Sequence, residues 1–186
     1  MRGDVKLRER ENSQNGNGRS SAGKIAQYGL LIALAFIFSY VEALIPLPVP
    51  VPGMKLGLAN LVTVYALCRL SGREALLILA ARCLLGALLG GNLMALAFSL
   101  TGGLLAFGVM ALLLRCSFLS LFGVSIAGAA AHNTGQILAA MAVLGSRAPL
   151  VYLPPLLLCS LVTGAVTGGA SMLLVHRIPL PGDIKS

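Results

Sequence analysis

Between Lys24 and His176 the chain is one nearly continuous apolar block. Charged residues inside it sit beside a Pro, a Gly or the end of a hydrophobic run, with two exceptions, Glu42 and Arg82. A segment of this kind has too little polar surface to face water on its outside. Hydrophobic residues make up 57% of the chain and charged residues only 11%, and mean hydropathy is +0.89. The lipid bilayer is the solvent that suits such a sequence, so function must be read from the few polar groups kept inside it.

A helix that crosses about 30 Å of hydrocarbon needs about 20 apolar residues. Six spans would use almost all of the block, leaving a polar tail at residues 1–23 and a short one at 179–186 around a transmembrane domain at 24–178. The first run, Lys24 to Ile45, is closed by Pro46, Pro48, Pro50 and Pro52-Gly53, which cannot continue a helix and favour an extended loop. The second run covers Met54 to Leu70, the third Glu74 to Leu89 and the fourth Leu93 to Leu114. The fifth lies within Phe118 to Leu144 and the sixth extends from Leu150 to Val175. The Ser/Asn/Gly-rich tail has no apolar signal-like core, and its composition predicts disorder.

The net charge of +8 would also suit nucleic acid, but the basic residues are distributed for topology instead. With a cytoplasmic amino terminus, the inner side collects the six basic residues of the tail, then Arg69, Arg73, Arg115, Arg177 and Lys185. The outer side collects only Lys55 and Arg147. This positive-inside bias predicts an all-α bundle of six transmembrane helices with both ends in the cytoplasm of a cell whose plasma membrane it crosses. Lipid is thus an expected partner and nucleic acid is not. Cys68, Cys83, Cys116 and Cys159 lack C-x-x-C spacing and read as small apolar side chains, not as a disulfide or metal framework.

Small residues recur at helical spacing: Ala22, Ala26, Gly29 and Ala33 on the first span, Gly86 and Gly90, Ala127 and Ala131, Gly164 and Gly168. Such faces let helix backbones approach closely in lipid. Most are expected to pack within the bundle. The first-span stripe begins at the cytoplasmic edge and is equally suited to docking a separate membrane subunit.

Polar residues within the spans carry the functional reading. Arg82 lies about 13 Å into the bilayer by helix rise from Arg73. It suits either a tie between helices or a fixed positive charge for an anionic ligand. Glu42 is roughly 27 Å above Lys24 by the same arithmetic, near the outer interface, where it is either solvated or paired with Lys55 across the proline loop. On the fifth span, His132 and Gln136 share a face at i, i+4 spacing and Asn133 lies beside them. Three strong hydrogen-bonding groups in one turn need partners, water or a ligand. Together with Asn60 and Asn92 they outline a pocket opening outward beneath the proline loop. No second His, Cys or carboxylate stands at metal-ligand spacing, so neither a metal nor another cofactor is expected.

Several motifs resemble one family. Pro52-Gly-Met-Lys-Leu-Gly-Leu-Ala-Asn60, Arg82-x3-Gly86, Ser99-Leu-Thr-Gly-Gly103 and Gly123-Val-Ser-x2-Gly128-x3-His132-Asn-x-Gly-Gln136 look like the Gx transporter family, also labelled heptaprenyl diphosphate synthase component I. The family is similar in turn to the substrate-binding S components of energy-coupling-factor transporters. The resemblance implies a six-helix bundle that binds a small polar or vitamin-like solute from outside. It also implies a small-residue face (here Ala22, Ala26, Gly29 and Ala33) that docks a coupling subunit attached to ATPases. The chain has no G-x-x-x-x-G-K-[ST] motif, so a partner would hydrolyse the ATP. Proton coupling through Glu42 and His132 is the alternative energy source.

The synthase label implies an accessory subunit at most. Prenyl transfer needs clustered aspartates to hold Mg²⁺ against diphosphate. The six acids of this chain, Asp4, Glu9, Glu11, Glu42, Glu74 and Asp183, form no D-D-x-x-D. The chain is therefore expected not to be an enzyme by itself, and a non-catalytic role in a heptaprenyl diphosphate synthase is the competing reading.

Overall fold

A computed structural model describes residues 2–44, 57–90, 93–116 and 119–177. The described residues form six α-helices and one 3-10 turn, with no strand among them: α1 (Arg2–Ala43), α2 (Asn60–Arg69), α3 (Gly72–Gly90), α4 (Leu93–Leu113), α5 (Leu121–Leu144), the 3-10 turn Ala148–Tyr152, and α6 (Leu153–Arg177). Three segments are long and apolar enough to cross a membrane: Ala22–Glu42, Leu93–Leu113 and Ala148–Val175.

Local sequence explains the helix ends. At the start of α3, Ser71 and Glu74 form a reciprocal capping box. The Ser71 amide donates to Glu74 Oε2 at 2.8 Å, and the Glu74 amide donates to Ser71 Oγ at 3.4 Å. Ser120 caps α5 by accepting from the Gly123 amide at 3.3 Å. That helix stops at Gly145, whose φ of 60° is left-handed. Pro154 and Pro155 fall in the first turn of α6, where their missing amides are not needed.

Helix α1 extends back through the polar tail to Arg2. No proline interrupts residues 2–45, so helix propagates outward from the apolar run. The second helix is shorter than the apolar run that predicts it. Instead of running from Met54, α2 has only 10 residues, about 15 Å and half the hydrocarbon thickness.

That short helix occupies the axis of the bundle. It packs against α1, α3, α4, α5 and α6, while α5 lies along α4 on one side and α6 on the other. Every residue from Asn60 to Ala66 is buried. Around it, Leu31 and Ala35 of α1 and Ala75 and Ile78 of α3 close one apolar cluster. Ala106 and Met110 of α4 close a second with Val124 of α5. The outer surface is inverted relative to a water-soluble protein. Ile25, Leu30, Leu88, Leu112, Leu158 and Leu173 are each more than 60% exposed, while Arg82, His132, Asn133 and Gln136 are buried. Apolar outside and polar inside is the arrangement a bilayer selects.

Glycines set the closest approaches. A Cβ at Gly135 would stand 2.8 Å from both Gly102 Cα and Thr101 O, so α4 and α5 touch backbone to backbone. Gly164 meets Ile126 and Gly168 meets Phe122 in the same way between α5 and α6. Gly86 does not follow this pattern, having nothing within 4 Å of its would-be Cβ. On α1, Ala22, Ala26, Gly29 and Ala33 are all exposed, so the bundle leaves this stripe uncovered.

Candidate functional site

The predicted polar residues come together near the middle of the long helices, in two nests separated by the Gly102–Gly103 step of α4. In the first nest, α5 presents His132 and Gln136, whose Nε2 atoms are 3.1 Å apart. Gly102 makes room for them, since a Cβ there would lie 2.8 Å from His132 O and 3.0 Å from His132 Nδ1. From α2, Asn60 reaches the same place. The turn before α2 closes over both: a Cβ on Gly57 would stand 3.0 Å from Asn60 Nδ2 and 3.3 Å from His132 Cδ2. Gly57 has φ of 93°, a conformation open to glycine and strained for other residues.

Glu42 holds that turn in place. The backbone amides of Gly57 and Leu58 both donate to Glu42 Oε1, the second at 3.2 Å. Glu42 is 2% exposed, so the solvated reading of this residue fails: it is buried as an acceptor for backbone amides. The expected Lys55 pair lies outside the described residues, as do the proline loop and Asn92.

The second nest surrounds Arg82. This residue is 3% exposed and faces into the bundle, where Nη1 donates to Ser39 Oγ of α1 at 3.4 Å. Ser39 stands three residues before Glu42, so the arginine reaches α1 one turn below the acid and no kink is needed. Gly103 lets the guanidinium lie against α4: its would-be Cβ is 3.5 Å from Arg82 Nη2. A narrow cleft, partly open to the surface and with about 10 Å³ of space for a water-sized group, runs between Ser39, Arg82, Gly86, Ala87, Ala95 and Ser99.

Satisfaction of these groups is uneven. Asn133 donates through Nδ2 to the Leu156 carbonyl at 2.9 Å and ties α5 to α6, while its Oδ1 has no hydrogen-bond partner among the described residues. Ser125 and Thr167 add a second tie between those helices, with hydroxyls 2.8 Å apart. By contrast, Asn60 is 1% exposed, yet neither Nδ2 nor Oδ1 has a hydrogen-bond partner among the described residues. Arg82 Nε and Nη2 are likewise without one. Buried groups left this way cost about 1–3 kcal/mol each, and such exceptions in a folded chain point to a missing partner.

The Gly57 turn packs against both Asn60 and His132, and the proline loop expected to roof an outward-opening pocket lies outside the described residues. Sequence reasoning missed Ser39 and the positions of Gly57 and Gly102 against the imidazole. The glycines were visible within quoted motifs, but their contacts depend on how α2 is threaded through the bundle.

Residues 31–174 match the heptaprenyl diphosphate synthase component I family. The chain belongs to that family. This heptaprenyl diphosphate synthase component I homologue matches no curated protein and no solved structure. Its family membership agrees with the resemblance read from the motifs at Asn60, Arg82, Ser99–Gly103 and Gly123–Gln136. With the apolar exterior and the three membrane-length segments, it makes the chain a membrane protein whose family name implies work with other subunits.

Proposed function

We propose that the chain is the substrate-binding membrane subunit of a transporter, an S-component-like six-span bundle that takes up a small polar or vitamin-like solute with the help of a partner ATPase. The observation that carries this reading is the Asn60 carboxamide, buried on the bundle axis with both polar atoms unpaired among the described residues. A polar solute supplying a donor and an acceptor would satisfy it. His132 and Gln136 stand beside it, and the Gly57 turn covers it.

In this reading Glu42 acts as the latch. While its carboxylate accepts from the Gly57 and Leu58 amides, the turn stays closed over Asn60. Release of those two bonds lifts the turn and admits solute, and solute that binds one state more tightly shifts the balance between states. The exposed stripe of Ala22, Ala26, Gly29 and Ala33 supports close docking of a helix from a coupling subunit. The bias of basic residues toward one side supports a cytoplasmic location for both ends and the plasma membrane as the site of action in this reading.

The family name favours a second reading, a non-catalytic membrane component of a heptaprenyl diphosphate synthase. Partner identity separates the two. Co-purification with an ATPase pair and a coupling membrane protein supports transport, whereas a soluble prenyl synthase as sole partner overturns it. For solute binding itself, the test is mass spectrometry of the extracted protein together with thermal-shift screening. Asn60→Ala and His132→Ala should each weaken retention of the co-purified molecule by about tenfold or more. Unchanged retention in both variants would refute the site.

A further inference from the structure

We infer that the Arg82 cleft is the anion-recognising end of the ligand site, taking a carboxylate or phosphate group. This deepens the solute-binding reading above and rests on it. Guanidinium groups carry five N–H donors in a fixed plane. In this protein Nη1 is engaged by Ser39 at the long distance of 3.4 Å, and the donors left over are Nε and Nη2. Those two lie on one edge of the guanidinium and point the same way. They are the pair that delivers two parallel N–H bonds to a carboxylate or phosphate.

The surroundings fit the same chemistry. No carboxylate pairs with Arg82 among the described residues, although one buried at this depth would neutralise it. The nearby acid, Glu42, is turned to the amides of Gly57 and Leu58. Ser39 and Ser99 add hydroxyls to the cleft, and Gly86, Ala87 and Ala95 leave its space unfilled. Gly86 in particular has open space on its Cβ side. The space a water-sized group can reach in the cleft is about 10 Å³, about that of one water, so the anionic end of a ligand enters only as the cleft widens beside Gly86, Ala87 and Ala95. Arg82 and Asn60 lie on opposite sides of the Gly102–Gly103 step, so a solute with an anionic end and a neutral polar end could engage both nests across it.

The test uses the full-length chain in nanodiscs of neutral phosphatidylcholine. Its melting temperature is followed as inorganic phosphate or acetate replaces chloride at constant ionic strength. Wild-type protein should be stabilised by one or both anions. Arg82→Gln should abolish the effect, and Arg82→Lys, which keeps the charge but loses the fork, should weaken the apparent affinity about tenfold or more. Gly86→Leu adds a good helix former where a Cβ meets nothing within 4 Å, and its longer side chain fills the cleft; circular dichroism checks that the variant keeps its helices. It too should lose the anion response. Stabilisation that appears only when phosphatidylglycerol is added to the disc still supports an anion site and identifies a lipid headgroup as the source.

Absence of any anion response, or a response that persists in both Arg82→Gln and Gly86→Leu, overturns the inference. The two proposals fail separately. Retention of a co-purified solute that is lost in Asn60→Ala but kept in Arg82→Gln removes the anion site and leaves the solute-binding reading standing. An Arg82-dependent anion response with full retention in Asn60→Ala and His132→Ala does the reverse.

Discussion

Replacing Gly135 with alanine tests whether the α4–α5 contact sets the position of the polar nests. The new Cβ would stand 2.8 Å from Gly102 Cα, 2.8 Å from Thr101 O and 3.0 Å from Gly102 N. All three are backbone atoms, so no side chain can rotate away and the helices themselves must separate by roughly half an ångström or more to restore ordinary contact. Overpacking of this kind costs about 1–3 kcal/mol, and an immovable neighbour puts it near the upper end. Helix propensity returns up to about 1 kcal/mol when glycine becomes alanine. The net loss is about 2 kcal/mol, or a melting temperature lower by about 4–8 °C for a chain of this length. Two other glycines calibrate the measurement. Gly108→Ala, with nothing within 4 Å, should hold or raise stability. Gly128→Ala should fall between, because its clash is with the flexible side chain of Met110. Thermal unfolding in nanodiscs reads all three. A Gly135→Ala protein that melts at or above Gly108→Ala would refute the backbone contact and the placement of His132 that depends on it.

Other perturbations address the latch and the helix ends. Glu42→Gln keeps the shape of the side chain but weakens the charge-assisted bonds from Gly57 and Leu58, so amide exchange at residues 57–60 should accelerate while the core of α5 stays protected. Equal protection in both proteins would reject the latch. Gly57→Ala, at φ of 93° and against Asn60 and His132, should lose about 1–2 kcal/mol by strain alone, measurable as a lower unfolding midpoint. Ser71→Ala removes half of the α3 capping box and should cost about 1 kcal/mol. That box also receives the Tyr28 hydroxyl, which donates to Glu74 Oε1. Tyr28→Phe combined with Ser71→Ala should therefore be non-additive, and strict additivity in a double-mutant cycle would refute the shared clamp.

Much of the site was legible because polar residues are expensive in lipid. In an apolar block, Glu42, Arg82, His132 and Gln136 stand out individually, and i, i+4 spacing alone places the last two on one face. Their burial follows from the solvent, with no need of the tertiary fold. The partners were not legible in this way. Glu42 was matched to the nearest opposite charge in sequence, Lys55, which lies outside the described residues, while the amides of Gly57 and Leu58 that donate to it are backbone groups and carry no signature in composition. Hydrophobic run length overestimated the helical part of residues 54–70: α2 has 10 residues, because an apolar run buried by other helices reads the same whether or not all of it is helical. The small-residue spacing at Gly86 resembled a packing face because spacing does not reveal which side of a helix has a neighbour.

The half-length central helix sets what a transport cycle of the proposed kind would have to move. From Arg69, whose guanidinium donates to the Val175 carbonyl near the end of α6, α2 rises only about 15 Å to Asn60, its first residue. For a solute held at Asn60 as proposed, that one short strut and its apolar collar are all that stand between it and the Arg69 end of the bundle.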